Sequence, residues 1–194
     1  MVSCGKQRVV KGRVYNPVTG NGISGIEVQV RKGKSCISYD GCGSKLLEST
    51  TTDANGNYSM QYRDKDDQYL LFKHNIDDFY RINSNIPGIS GNQEYDLLLV
   101  TKGYEQYSII NTSCFDINDK LTITERYHKS IPSLILLNGD AVYSGCMNQT
   151  YPNTLVPMGW YVWKGSVTKN NITTPFSDSI YVPEGGSVQW SIEY

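Results

Sequence analysis

Only two of the 194 residues are histidine, His74 and His128, and they stand far apart. Neither belongs to a His-x-x-x-His or Cys-x-x-Cys spacing, so no metal cluster is visible in the sequence. A Gly-x-Ser-x-Gly elbow, a phosphate-cradling glycine loop and a dinucleotide fingerprint are missing too. Without a nucleophile-base pair, paired carboxylates or a metal, no catalytic residue and no cofactor is expected. An excess of one charge is also lacking: 18 Lys plus Arg meet 19 Asp plus Glu. No long-range field would then gather nucleic acid or an anionic membrane surface, and a polynucleotide partner is not expected. Apolar runs such as 97–100 and 134–137 fall far below the roughly 20 residues of a membrane-spanning helix.

What the chain does have is core-forming material, with 39% hydrophobic residues and 15 tyrosines. Its length suits two sandwich modules of about 100 residues each. Val10, Gly12 and Val14 alternate with Lys11, Arg13 and Tyr15, and Ile26, Val28 and Val30 alternate with Glu27, Gln29 and Arg31. This two-residue period marks half-buried strands. Asn55-Gly56, between a threonine-rich run and Tyr58, Met60 and Tyr62, predicts a tight type I′ hairpin. Segments 69–74 and 94–100 read as further strands. Around Thr101-Lys102-Gly103 the pattern restarts. Tyr107 and Ile109, Leu121 and Ile123, 134–137, 160–167, Ile180 and Val182, and Val188, Trp190 and Ile192 then form short strands between polar turns. The expectation is an all-β protein of two tandem β-sandwich modules, 8–100 and 101–194, after a short N-terminal segment at 1–7.

Five cysteines are unevenly placed: Cys4, Cys36, Cys42, Cys114 and Cys146. Cys36 and Cys42 flank a turn-prone segment, and Cys114 and Cys146 each follow a strand-like run, which makes two candidate disulfides and sets Cys4 apart. By loop-closure entropy the shorter bridge is worth about 2 kcal/mol and the longer about 4. Such pairing implies an oxidising compartment. The alternative is five buried or free thiols in a reducing cytosol.

Two resemblances sharpen this. Val2-Ser3-Cys4, followed by Gly5 and Lys6, resembles the end of a bacterial lipobox, which implies lipid attachment at Cys4. The Gly12-x-Val14 opening, the Thr19-Gly20 loop, Gly25-Ile26-x-Val28-x-Val30 and Thr52-Asp53-x-Asn55-Gly56-x-Tyr58 resemble the carboxypeptidase regulatory-like domain, a prealbumin-like sandwich related to the Cna-B type. The usual proline before Gly25 is missing, and a cysteine-bearing insertion occupies about 32–45. In outline the second half resembles the immunoglobulin-like domains that follow such modules in lipoproteins of the Bacteroidetes type. The resemblance implies a structural or binding module in a bacterial envelope, anchored to the outer membrane and facing the periplasm or the surface.

Asp53, Asn55 and Asn57 space their oxygens like the start of a calcium loop. Tyr58 stands where that loop needs glycine, and Asp64 stands where it needs glutamate, so no metal is expected. For ligand binding the candidates are Trp160, Trp163 and Trp190. Along one strand Trp160 and Val162 point one way and Tyr161 and Trp163 the other, so one of those two tryptophans is free to face solvent. The sequence therefore leads to a non-enzymatic, lipid-anchored envelope protein acting as an interaction or spacer unit. Its expected partners are other envelope proteins or surface glycans, and its contact with membrane is through the lipid alone. A carbohydrate-binding module is the second reading, and an adhesin or surface-fibre subunit the third.

Overall fold

The computed structural model describes residues 6–33, 44–82, 87–137 and 139–194. Every regular element among them is a strand, and the chain divides into two compact units, Met1–Val100 and Thr101–Tyr194. Each unit is a β-sandwich.

The first unit uses β1 (Gln7–Tyr15), β2 (Glu27–Lys32), β3 (Lys45–Thr51), β4 (Asn57–Arg63), β5 (Gln68–Lys73), β6 (Phe79–Arg81), β7 (Gln93–Glu94) and residues 97–100 of β8 (Leu97–Ile110). One sheet pairs β1 antiparallel with β4, Val10 opposite Met60, and parallel with β7 and the start of β8. The other sheet orders β3-β2-β5. Alternation sends Val10 and Val14 of β1 and Tyr58, Met60 and Tyr62 of β4 inward, against Val28, Val30, Leu70 and Phe72 of the opposite sheet. Each such fully buried aliphatic or phenyl side chain contributes about 1.5–3 kcal/mol. The tyrosine hydroxyls are satisfied where the ring ends: Tyr58 donates to the Tyr95 carbonyl and Tyr62 to that of Gly91, both at 2.6 Å.

The hairpin expected at Asn55-Gly56 does not form, because β3 pairs with β2 and β4 with β1. Residues 52–56 cross from one sheet to the other. Only Gly56 of that dipeptide takes a positive φ, at 80°, and a Cβ there would sit 2.1 Å from the Val14 carbonyl oxygen. Asp53 holds the crossing, its Oδ1 accepting from the Asn55 and Asn57 N–H groups at 2.9 and 2.8 Å. These bonds hold the Asp53 carboxyl below its ordinary range, that from Asn57 most of all, and they account for the residues that resembled a calcium loop.

The second unit adds β9 (Lys120–His128), β10 (Ile131–Ile135), β11 (Ala141–Ser144), β12 (Asn148–Thr150), β13 (Thr154–Pro157), β14 (Gly159–Lys169), β15 (Ile172–Val182) and β16 (Ser187–Glu193). Here β8 lies between β12 and β13 on one side and β16 on the other. The facing sheet orders β10-β9-β14-β15, with β11 also on β9. The type I′ turn occurs in this unit, at Asn170-Asn171, with φ of 47° and 61°, joining β14 to β15. Ile109, Ile192 and Tyr194 pack on Leu121, Ile123 and Trp163 between the sheets. Cys114 and Cys146 form the expected disulfide, with 5.2 Å between Cα atoms and 32 residues apart in sequence. Closing a loop of that length is worth about 4 kcal/mol by chain entropy.

One irregularity decides which side chains reach solvent. Against β14, Ile123 pairs with Gly165 and Glu125 with Lys164, so Thr124 is an extra residue in β9. Leu121 and Ile123 point inward before this bulge, whereas Arg126 and His128 do so after it, and Glu125 and Tyr127 are turned out. Gly165 permits the close approach, since a Cβ there would lie 1.8 Å from the Thr122 carbonyl oxygen. Gly165→Ala should therefore destabilise the protein by about 3 kcal/mol, the upper range of overpacking. A urea midpoint unchanged from wild type would contradict this role of the bulge.

Candidate ligand-binding face

Downstream of the bulge, the outward residues of β9, β14 and β15 form one surface. Trp160 is opposite Tyr181, Val162 is flanked by Tyr127 and Ser179, and Lys164 by Glu125 and Ser177. Ile135 of β10 lies beside Tyr127. Large apolar side chains are exposed on it, with Trp160 47%, Tyr181 37% and Ile135 60% accessible. The Lys129 N–H donates to the Trp160 carbonyl at 2.8 Å, tying the end of β9 to β14. Tyr127, Lys129, Trp160, Val162 and Ser179 line a shallow groove of about 270 Å³. Beside it the Lys164 ammonium lies 5.3 Å from the Tyr127 ring centre and 3.4 Å from Glu125. Tyr127 first and then Glu125 hold that ammonium above its ordinary pKa.

Of the three tryptophans singled out from sequence, Trp160 alone presents itself here. Trp163 is 2% exposed, because it occupies the inward phase of β14. Trp190 is half-buried, its ring 5.3 Å from that of Trp163. Trp163 is part of the core between the sheets, and Trp190 packs against that core from a partly buried position, so neither shares the outer face with Trp160. Sequence reasoning missed Tyr127, Lys129, Ser179 and Tyr181. Their signal was weak, since the first two follow a bulge that cannot be seen in the amino-acid order.

The inner side of the same sheet is polar at one point. The Arg126 guanidinium bonds the Glu105 carboxylate and lies 4.3 Å over the Trp163 ring and 5.7 Å from those of Tyr107 and Tyr161. Glu105 is buried. His128, also buried, meets the Met158 carbonyl through Nε2 at 2.8 Å, and its Nδ1 accepts from the Ser130 N–H at 3.1 Å. This arrangement requires a neutral ring protonated on Nε2, and burial lowers its pKa. Both ring nitrogens are thus engaged in structure. In the loop after β8, Asp119 accepts from the Phe115 N–H and from Asn111, so this carboxylate too shapes backbone.

His74 lies in the other unit, edge-on to Phe79. Asp64, at the end of the calcium-loop spacing, pairs with Arg8 at 3.5 Å and accepts from the Gly91 N–H at 3.1 Å. No group of three or more His, Cys, Asp or Glu among the described residues could hold a metal. The first unit carries a larger groove, about 350 Å³, lined by Val9, Lys11, Asn92, Gln93 and Glu94. Its Lys11 and Glu94 pair with one another at 3.4 Å, and no aromatic ring lines it. Cys4, Cys36 and Cys42 lie outside the described residues.

No protein-family model matches the chain, and no curated protein matches it. The resemblance to the carboxypeptidase regulatory-like domain thus rests on the residues that carry it. Among solved structures, the chain is similar to the Bacillus anthracis TIE protein, with 11% identity, a TM-score of 0.39, and 96% of this chain matched to 34% of that one. It is also similar to the shaft pilin SpaA of Lactobacillus rhamnosus GG, with 10% identity, a TM-score of 0.34, and 97% of each chain matched. A third is the streptococcal ancillary pilin, with 12% identity, a TM-score of 0.34, and 98% of this chain matched to 63% of that one. The chain thus spans about a third of the first of these proteins.

Two outcomes are expected from the polar interior. Glu105→Ala strands the Arg126 cation and should cost about 3 kcal/mol in urea denaturation, while Glu105→Leu combined with Arg126→Met recovers part of that loss. A double variant as unstable as the sum of the two single ones would show that the pair does not act as a unit. For His128, the folded and unfolded chains are both neutral well above the ordinary pKa of about 6.5. Below that pH the unfolded chain takes up a proton that the folded ring refuses, so stability falls on acidification. Between pH 7.5 and 5, wild type should lose more thermal stability than His128→Gln. Parallel pH profiles would show that His128 is not held neutral by the fold.

Proposed function

We propose that this chain is a non-catalytic protein of a bacterial cell envelope, lipid-anchored at Cys4, whose two sandwiches form an interaction unit. The observation that carries the reading is the Cys114–Cys146 bridge, because structural disulfides persist in oxidising compartments and are rare in the cytosol. The absence of catalysis is supported by the uses to which the reactive groups are put. His128 fills both of its nitrogens with backbone bonds, Glu105 is committed to Arg126, and Asp53 and Asp119 fasten loops. A face with exposed aromatic residues and a groove supports binding in place of chemistry.

The carboxypeptidase regulatory-like character of the first sandwich belongs to the same reading. Such modules accompany other domains without chemistry of their own. Membrane attachment would then leave the partner to be met by the sandwiches alone.

Expression in the native host tests both parts. The chain should fractionate with membranes, Cys4→Ala should release it, and intact mass after alkylation should show two disulfides, the second joining Cys36 to Cys42. Membrane retention unchanged in Cys4→Ala would remove the anchor. Five free thiols in protein taken from cells would overturn the compartment.

A further inference from the structure

On the outer face of β9, β14 and β15, Trp160 and Tyr181 meet edge to face, with centroids 5.5 Å apart and planes at 60°. They do not cover one another as the stacked Tyr107 and Tyr151 do in the core, at 4.6 Å and 19°. Accessible aromatic rings of this kind take up the C–H face of a sugar ring while excluding water, and the polar groups around them then fix orientation. Here those groups are supplied by Ser179 and Lys129, two of the residues that line the groove. Among the described residues Lys129 makes no ion pair, whereas the neighbouring Lys164 is answered by Glu125. The groove therefore joins an aromatic wall to one uncompensated positive charge. Its volume of about 270 Å³ lies just under the range of about 300–1,000 Å³ found for small-molecule sites. That suits a single ring or a chain end more than an extended peptide. The apolar side chains of the face are interleaved with Ser177, Ser179, Lys164 and Glu125, unlike the continuous apolar centre of a protein interface.

We propose that this groove binds a uronic acid residue of an acidic polysaccharide, the sugar ring lying against Trp160 and its carboxylate meeting Lys129. The inference deepens the interaction-unit reading, and it rests on that reading only in requiring that the second sandwich be exposed outside the cytosol.

Titration of the oxidised full chain with trigalacturonate, followed by tryptophan emission, tests it. Binding is expected, weakening as salt rises from 50 to 500 mM because an exposed charge pair is screened. Trp160→Ala should weaken it about tenfold or more, as expected for loss of an aromatic anchor. Lys129→Met should abolish the preference for trigalacturonate over a neutral galactose trisaccharide. Both variants should keep wild-type melting, since neither side chain is part of the core. Absence of saturable binding to wild type, or affinity unchanged in Trp160→Ala, would overturn the proposal. So would a wild-type dimer in sedimentation that Trp160→Ala dissociates, which would show that a second copy of the chain covers this face. Failure of glycan binding with Cys4→Ala still released from membranes would end this proposal alone. Free thiols in cells would instead end the envelope reading.

Discussion

A single extra residue in β9 sets the side-chain phase of the second sandwich. Thr124 has no residue opposite it in the register with β14, and past it the inward and outward positions of β9 are exchanged. Because strand side chains alternate with a period of two, such a shift moves every later residue to the opposite face. Arg126 and His128 are brought inside, and Tyr127 is brought out beside Val162 and the groove. The glycine opposite is part of the same device, because backbone comes so close at Gly165 that a side chain has no room.

Bringing Arg126 inside creates a demand that the interior then meets. The guanidinium finds a carboxylate in Glu105 of the facing sheet and the rings of Tyr107, Tyr161 and Trp163 around it. A buried pair of this kind adds little net stability over apolar residues of equal size, but it penalises any register in which one partner is left alone. The aromatic residues thus divide by phase. Trp163 and Tyr161 wall the arginine, and Trp160, one step away on the same strand, is presented to solvent with Tyr181 across from it. The polar interior fixes a register, and the register fixes the outer face.

Much of this was legible beforehand, and the failures have physical causes. Regular alternation at Val10–Val14, Val28–Val30 and Tyr58–Tyr62 identified strands because nothing interrupts the pleat there. The Cys114–Cys146 bridge followed from two cysteines placed just past strands. Asn55-Gly56 misled because turn-forming residues report that the chain bends, not whether it returns to the same sheet. The tryptophans of β14 were placed in opposite phases correctly, but which phase faced the core depends on β9 and its bulge. Arg126, charged and flanked by glutamate and tyrosine, looks like a surface residue until the extra residue is counted.

The account stands on Trp160 being outside and Trp163 inside, and the indole N–H resonances of the unmodified protein report this directly. With a soluble paramagnetic agent added, and Trp160→Phe used for assignment, the Trp160 signal should broaden strongly while those of Trp163 and Trp190 are largely spared. Equal broadening of Trp160 and Trp163, or protection of Trp160 in the monomer, would contradict the phase of β14 and everything built on it.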